Sequence, residues 1–553
     1  MSMTGRDRAQ VPARTAAVVR AACPKGTRVT RLRDALGPVF VDDDFADWFA
    51  TEGRPGLPPG MLALVCVLQA MEDLTDRDAA DAVRTRLDWK YALSLDPEHP
   101  GFDFSVLSEF RDRLALDRRA TSLLDTLLDR ARDTGLLKAG ARMRTDSTHV
   151  LARIRTLNRL EMVGETVRAA LDQLAALASG WLPPRISPEW AERYGGRRID
   201  SARLPAGKQA RAAWGDQVAA DGADLLELVE ADQDNAWLAG LPAVATLRAI
   251  WEQQCVRERR GRWRLREGRI TEGAVHIDSP RDPQARWCQK RDTTWSGYKV
   301  HLSETCDDDA PHLIVQAETT VARTTDHGAL GAIRDEFARR GLAPGELYLD
   351  EGYVTAEAVA AADDDGTEIV GPLTRDSSGQ AKAGGGFARD DFAIDWDART
   401  ATCPAGRRSA AWHHRGHMAG DGAAIEFAAA DCHACPFRTD CTRSVSAGRQ
   451  LVVPSRRLYE IQRRNRTDQN DPEWRQRYSH RAGVEGALSE AARAYGVRRC
   501  RYLGLGKTRV QHQLAACGMN AARIADWIER DSQPAPARSQ TRFAALCATA
   551  TQS

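Results

Sequence analysis

Three carboxylates in this chain have the surroundings that metal-assisted phosphoryl chemistry uses. Asp146 stands in RMRTDSTHV and Asp350 in LYLDEGY, each at or near the end of a short apolar run. An ionised aspartate in a central strand is costly to bury unless it is paired or holds a metal. Glu485 comes from a different texture, the arginine-rich segment YSHRAGVEGALSEAARAYGVRRCRY. There Tyr478, Arg481 and Glu485, at offsets i, i+3 and i+7, share one helix face. A carboxylate among arginines is a poor choice for binding a polyanion unless it first holds a cation, leaving Arg481 and Tyr478 to approach the phosphates. Two Asp and one Glu are hard oxygen donors suited to Mg²⁺. Two such ions ~3.5–4 Å apart can activate an attacking oxygen and stabilise a leaving one at a phosphodiester.

Each carboxylate also has an ordinary reading. Asp146 could cap a turn, Asp350 could pair with an arginine, and Glu485 could lie on a helix surface. Asp326 in TTDHGAL competes with Asp350 but reads as a helix N-cap. Strand alternation turns Glu351 away from Asp350, and His149 away from Asp146.

A second cluster is made of thiols. Cys403 in ATCPAGRRS and Cys432, Cys435 and Cys441 in DCHACPFRTDCT are spaced C-x28-C-x2-C-x5-C. Four thiolates suit tetrahedral, structural Zn²⁺ and leave no open position for catalysis. His413, His414, His417 and His433 are competing ligands, and the bland alternative is four reduced cysteines in a loop. The region 374–455 is rich in Gly, Ala and Asp and reads as having little apolar material of its own.

The elements that must position these groups follow from periodicity. Residues 12–135 read as a helical bundle, the sharper reading being an N-terminal domain for DNA binding or dimerisation. Thr75 caps one of its helices, Ser105 another with Arg111 outward, and Gly135 closes the last. A strand follows at about Arg142–Val150. Residues 156–284 read as a helical insertion, helical to about Arg260, ending in RERRGRWRLREGR with seven arginines around Trp263. Of these Arg257, Arg259, Arg260 and Arg262 are candidates for phosphate contact. SGYKVHLSETC and HLIVQAETTVA read as a hairpin, and the helices and strands after them make a mixed α/β sheet. Residues 456–530 are helical again, and 533–553 read as a disordered tail.

The ordered set of motifs resembles the DDE transposases of bacterial insertion sequences, in the group with a Tyr-x2-Arg-x3-Glu-x6-Lys signature and an InsH-type helical N-terminal domain. GFDFSVLSEFRDRL, TDSTHV, GYKVHLSET and LYLDEGY carry the resemblance, together with Tyr478, Arg481 and Glu485. The signature lysine falls on Ala492, with Arg493 beside it. The resemblance implies a ribonuclease-H-like core, from 140–155, 285–373 and the helices of 456–530, binding two Mg²⁺ or Mn²⁺ ions through Asp146, Asp350 and Glu485. It also implies strand hydrolysis at element ends to free 3′-hydroxyls, joining to target DNA by transesterification, and a homodimer on double-stranded DNA. Tyr478, Arg481, Arg498, Arg499 and Arg501 are the further DNA-contact candidates. The alternatives are a decayed or domesticated copy that binds DNA without cutting it, and a metal-dependent ribonuclease-H-like nuclease. A net charge of +1 over 553 residues gives no globally basic surface. The polar start and the short apolar runs lead us to expect a cytoplasmic protein, on the nucleoid when bound.

Overall fold

The computed structural model describes residues 10–49, 52–53, 56–155, 157–268, 276–374, 376, 378–382, 386–415 and 422–532. The expected tail 533–553 lies outside these residues, as do Arg269 and His417. Among the described residues no helix is long and apolar enough to cross a membrane.

The chain opens with helices Ala13–Ala22, Arg28–Leu36, Pro59–Met71 (α1), Asp76–Thr85, Leu87–Ala92, Ser105–Leu114 and Arg119–Asp133 (α2). Proline in the first turn starts α1, and apolar residues all round it bury nearly its whole surface. Thr75 caps its helix as expected, its Oγ1 accepting the Asp78 N–H at 3.2 Å. Ser105 does not cap: the Asp103 carboxylate accepts the Ser105 N–H at 2.9 Å. Arg111 is buried rather than outward, because it lies on the face towards α1 and pairs with Asp76 and Gln69.

The sheet is built from β1 (Met143–Leu151), β2 (Thr293–Thr305), β3 (Ile314–Val321), β4 (Glu346–Tyr348) and β5 (Glu368–Val370). Their order is β3-β2-β1-β4-β5. β2 runs antiparallel to both β1 and β3, and β4 and β5 run parallel to β1. A short strand, Arg286–Lys290, pairs with the outer part of β2. The parallel connections carry helices, as parallel strands require: Asp326–Arg339 (α3) leads from β3 to β4, and Ala356–Asp364 from β4 to β5. This curled mixed α/β sheet is compatible with the expected ribonuclease-H-like core.

Gly483–Ala494 (α4) packs on β1 and β2, while Leu505–Ser532 (α5) packs on β3, α1 and α2. One apolar core therefore runs from Leu68 and Leu124 in the first helices through Val300 and Leu347 in the sheet to Met519 in α5. Inside it Asn520 satisfies both backbone groups of Ile314, accepting its N–H at 2.7 Å and donating to its carbonyl at 2.8 Å. Arg28–Asp526 and Arg31–Glu529 ion pairs, both at 2.8 Å, tie the second helix to α5.

Two insertions carry cores of their own. Helices Arg159–Leu177, Pro188–Tyr194, Lys208–Ala231 and Pro242–Gln254 enclose Val163, Val218, Leu247 and Trp251. Helix stops at Gln254, short of the expected Arg260. Cys255–Arg257 then pairs antiparallel with Trp263–Leu265, and Gly261 (φ +83°) takes the left-handed turn position. The second insertion is not a coreless loop. Its strands Ala393–Asp395, Thr400–Thr402, Ala411–Arg415, Gly422–Glu426 and Gln450–Val453 bury Phe392, Ile425, Phe427, Leu451 and Val453.

Candidate active site

The fold brings the three sequence-distant carboxylates together round Arg481, beside the middle of β1. Asp146 is mid-strand, buried, and its Oδ1 accepts the Ser147 N–H at 2.7 Å. Asp350 lies in the turn after β4, whose Oδ1 accepts the Gly352 N–H at 2.9 Å. Glu485 sits in the first turn of α4. The segment feeding α4 is not one helix. Pro472–Tyr478 ends, Ser479–Ala482 winds as a tighter 3₁₀ turn, and α4 begins at Gly483. The His480 carbonyl accepts both the Gly483 N–H of that turn and the Arg144 Nη1, the latter at 2.9 Å. Winding stays right-handed throughout, so Arg481 and Glu485 remain one turn apart.

Arg481 occupies the centre. Its Nη2 donates to Asp146 Oδ2 at 2.6 Å and lies 3.9 Å from Asp350 Oδ2, while Nη1 donates to Glu485 Oε1 at 3.0 Å. One guanidinium thus answers all three carboxylates. Its Nε is buried with no hydrogen-bond partner among the described residues. Burial pushes the Asp146 carboxyl up to about 6, with Arg481 and the Ser147 N–H pulling the other way. Burial also works against the Arg481 charge, but Asp146, Tyr478, Asp350 and Glu485 together outweigh it and raise the guanidinium pKa. The arrangement is a cation site filled by a side chain. Among the described residues no group of three or more His, Cys, Asp and Glu side chains closes round an ion as it stands. At the carboxylates the guanidinium holds the oxygens apart. The donor set itself, three carboxylates facing one positive charge, fits a hard divalent cation.

Sequence reasoning assigned Asp326 to a cap and missed its place here. Thr325 is the N-cap of α3, its Oγ1 accepting the Gly328 N–H at 3.2 Å. Asp326, one residue on, is buried beside the site. It accepts from Ser147 Oγ at 3.0 Å and faces Lys290 and Lys299, each at 3.4 Å. A β-carbon built on Gly352 would stand 3.1 Å from Asp350 Oδ1 and 3.2 Å from Asp326 Oδ2, so the two carboxylates flank one small space. Burial pushes the Asp326 carboxyl up, and Lys299, Lys290 and His301 outweigh it, leaving it below its ordinary value. Lys299, buried on β2, was the available signal, since a buried lysine needs a counter-charge. His149 packs against Trp295, ring centroids 5.6 Å apart.

The DNA-contact candidates divide into engaged and open groups. Tyr478 is half-buried, its ring stacked on Trp474 at 5.1 Å. Arg481 is held by the carboxylates, and Arg501 pairs with Asp73 of the N-terminal helices. Arg498 Nε donates to Thr148 Oγ1 at 2.8 Å, while Arg499 beside it is exposed. Arg257, Arg259, Arg260 and Arg262 surround a hairpin tip instead of lining a helix face. Glu258 partly neutralises that tip, pairing with Arg262 at 3.3 Å and Arg264 at 3.0 Å. Arg493, beside Ala492, is exposed on α4.

Protein-family comparison adds to the geometry. Residues 402–525 match the family described as a transposase DDE domain, and residues 17–113 match a transposase domain, DUF772. The two matches are consistent with a DDE transposase of insertion-sequence type. Within the chain the first match takes in the four clustered cysteines, Glu485, α4 and most of α5, and the second covers most of the opening helices. Asp146 and Asp350 lie outside both. No curated protein and no solved structure matches the chain.

Proposed function

We propose that this transposase binds the ends of its insertion sequence, hydrolyses a strand at each to free a 3′-hydroxyl, and joins that hydroxyl to target DNA. Asp146, Asp350 and Glu485 are its catalytic carboxylates in a ribonuclease-H-like core. The observation that carries the reading is the convergence of these three residues, from three distant parts of the chain, on the single cation of Arg481. They would hold Mg²⁺ or Mn²⁺, whose chemistry when bound is to activate an oxygen and offset charge at the phosphodiester.

The chain's own residues do the rest. The Ser147 and Gly352 N–H groups fix the carboxylate orientations of Asp146 and Asp350. Lys290 and Lys299 neutralise Asp326, so that burying a fourth carboxylate beside the centre is not destabilising. Arg481, displaced from the carboxylates, turns its planar fork to a DNA phosphate, the ligand it suits best. Tyr478 packs at the same edge, and Arg498, Arg499 and the hairpin arginines contribute sequence-independent phosphate contacts. Two copies on paired ends complete the assembly.

The test is cleavage of a plasmid bearing the DNA that flanks this reading frame, in Mg²⁺ or Mn²⁺, by wild type and by Asp350→Ala. Nicks at the element ends from wild type alone support the proposal. Binding with no cleavage by either protein points to a decayed copy. Structure-dependent cutting with no preference for the ends points to a nuclease. Equal cleavage by both proteins removes Asp350 from the site.

A further inference from the structure

Four thiols from separate short elements meet in the second insertion, well away from the carboxylates in sequence and with a different chemistry. Cys403 follows strand Thr400–Thr402, Cys432 is in helix Ala429–His433, Cys435 is two residues beyond it, and Cys441 ends helix Arg438–Cys441. All four line one cavity of about 30 Å³. That is room for a single small ion.

The surroundings suit sulfur that carries negative charge. The Arg407 N–H points at Cys403 Sγ at 3.3 Å, and the Arg449 N–H at Cys432 Sγ at 3.4 Å. Arg407, Arg438 and Arg449 line the same cavity, with Asp431 the acid among them. Four thiolates round a divalent ion carry a net charge of −2, and these arginines answer it. Among the described residues the competing histidines stand elsewhere. His413 is exposed and faces Glu426 at 3.6 Å, and neither His414 nor His433 lines the cavity. The two helices that present Cys432 and Cys441 have five and four residues. Helices so short do not persist alone.

We propose that Cys403, Cys432, Cys435 and Cys441 bind one structural Zn²⁺ that clamps this insertion. As the side chains stand the sulfurs surround the cavity without closing on it. Each turns on a single χ1, and the ion draws them to tetrahedral Zn–S contacts of ~2.3 Å. The clamp holds the two short helices against the Phe427 and Leu451 core and has no part in strand cleavage.

Metal analysis of the full-length protein, made without an affinity tag that binds metal, tests this. One zinc per chain is expected, released by an organomercurial in step with four thiols. Cobalt(II) in its place should show intense sulfur-to-metal charge-transfer bands and tetrahedral visible absorption. Cys435→Ser and Cys441→Ser should each lower zinc retention at least tenfold. Folded wild type that retains no zinc after exposure and dialysis, with all four thiols open to Ellman's reagent, overturns the proposal. So does full zinc retention by soluble forms of both variants, or a cobalt spectrum without sulfur bands. Cleavage in Mg²⁺ is measured separately, so failure of the zinc site and failure of the transposition reading are distinguishable.

Discussion

Replacing Arg481 with alanine should tighten divalent-metal binding while weakening DNA cleavage. The guanidinium stands where a cation is expected, so an incoming ion must first displace it. Its contact with Asp146, at 2.6 Å between side chains 17 % and 11 % exposed, dominates. A charged hydrogen bond of this kind contributes about 1.5–3 kcal/mol. The pair with Glu485 is i,i+4 and the glutamate is 66 % exposed, so it adds only about 0.3–0.5 kcal/mol. Asp350, at 3.9 Å, adds a screened attraction without a hydrogen bond. Displacement therefore costs about 2 kcal/mol, or about 30-fold in apparent metal affinity. Titration with Mn²⁺, followed by the signal of the free ion, should show Arg481→Ala binding about 10- to 100-fold more tightly than wild type. Thermal unfolding should show the variant less stable without metal and gaining more from its addition. Asp146→Asn should lose most of the metal response in either background. Cleavage by Arg481→Ala should nevertheless fall, because the residue proposed to meet phosphate is gone. Unchanged or weaker Mn²⁺ binding by Arg481→Ala would refute the reasoning, since the guanidinium would then not be standing in the place of the ion.

Glu485→Gln should leave binding to end DNA nearly intact and slow strand nicking by at least about 10²-fold in gel assays of matched preparations. The double substitution Arg259→Ser, Arg260→Ser should make the salt dependence of DNA binding shallower by up to about 2 in log–log slope. An unaltered slope would remove the hairpin tip from the interface. His512 is fully buried, bonded to Thr319 and to the Val497 carbonyl, and burial depresses it to about 4. Its folded value lies below its unfolded one, so its contribution is intact above about pH 6.5 and is lost as pH falls towards 4. The loss reaches up to about 3 kcal/mol in denaturant unfolding, and His512→Gln should flatten it. Gly483→Ala should destabilise by about 1–3 kcal/mol, because its β-carbon would meet the Arg144 guanidinium at 1.9 Å while Glu304 and the His480 carbonyl hold that group in place.

What could be read from the sequence was what repeats over several residues. β1, β2 and β3 carry enough alternation and β-branching to show themselves, and Asp146 came with its strand. Features set by a single distant partner were not visible. Nothing in YSHRAG shows that Arg144, far earlier in the chain, would donate to the His480 carbonyl. Nor does the spacing of Tyr478, Arg481 and Glu485 show that the arginine would face the carboxylates instead of solvent. The basic run looked helical because its charges mask a period-two pattern only three residues long on each side of Gly261. The core of the second insertion was hidden because Phe392, Ile425, Phe427, Leu451 and Val453 arrive singly or in pairs from short strands. Asp326 was legible only as a residue near a helix start, since its lysine partners lie on other strands.

The position of α5 sets the order in which the molecule can be completed during synthesis. Its apolar face lies between α1 and α2, made first, and β3, made midway, and Asn520 supplies the partners for Ile314. Until the ribosome has delivered Leu505–Ser532, the earlier segments expose the surface that this helix covers, and Arg28 and Arg31 lack Asp526 and Glu529. A chain cut short before Leu505 would keep all three carboxylates and Arg481, yet lack the element that joins the opening helices to the sheet. Such a fragment exposes the apolar surface that α5 covers, which favours aggregation and proteolysis over a stable core.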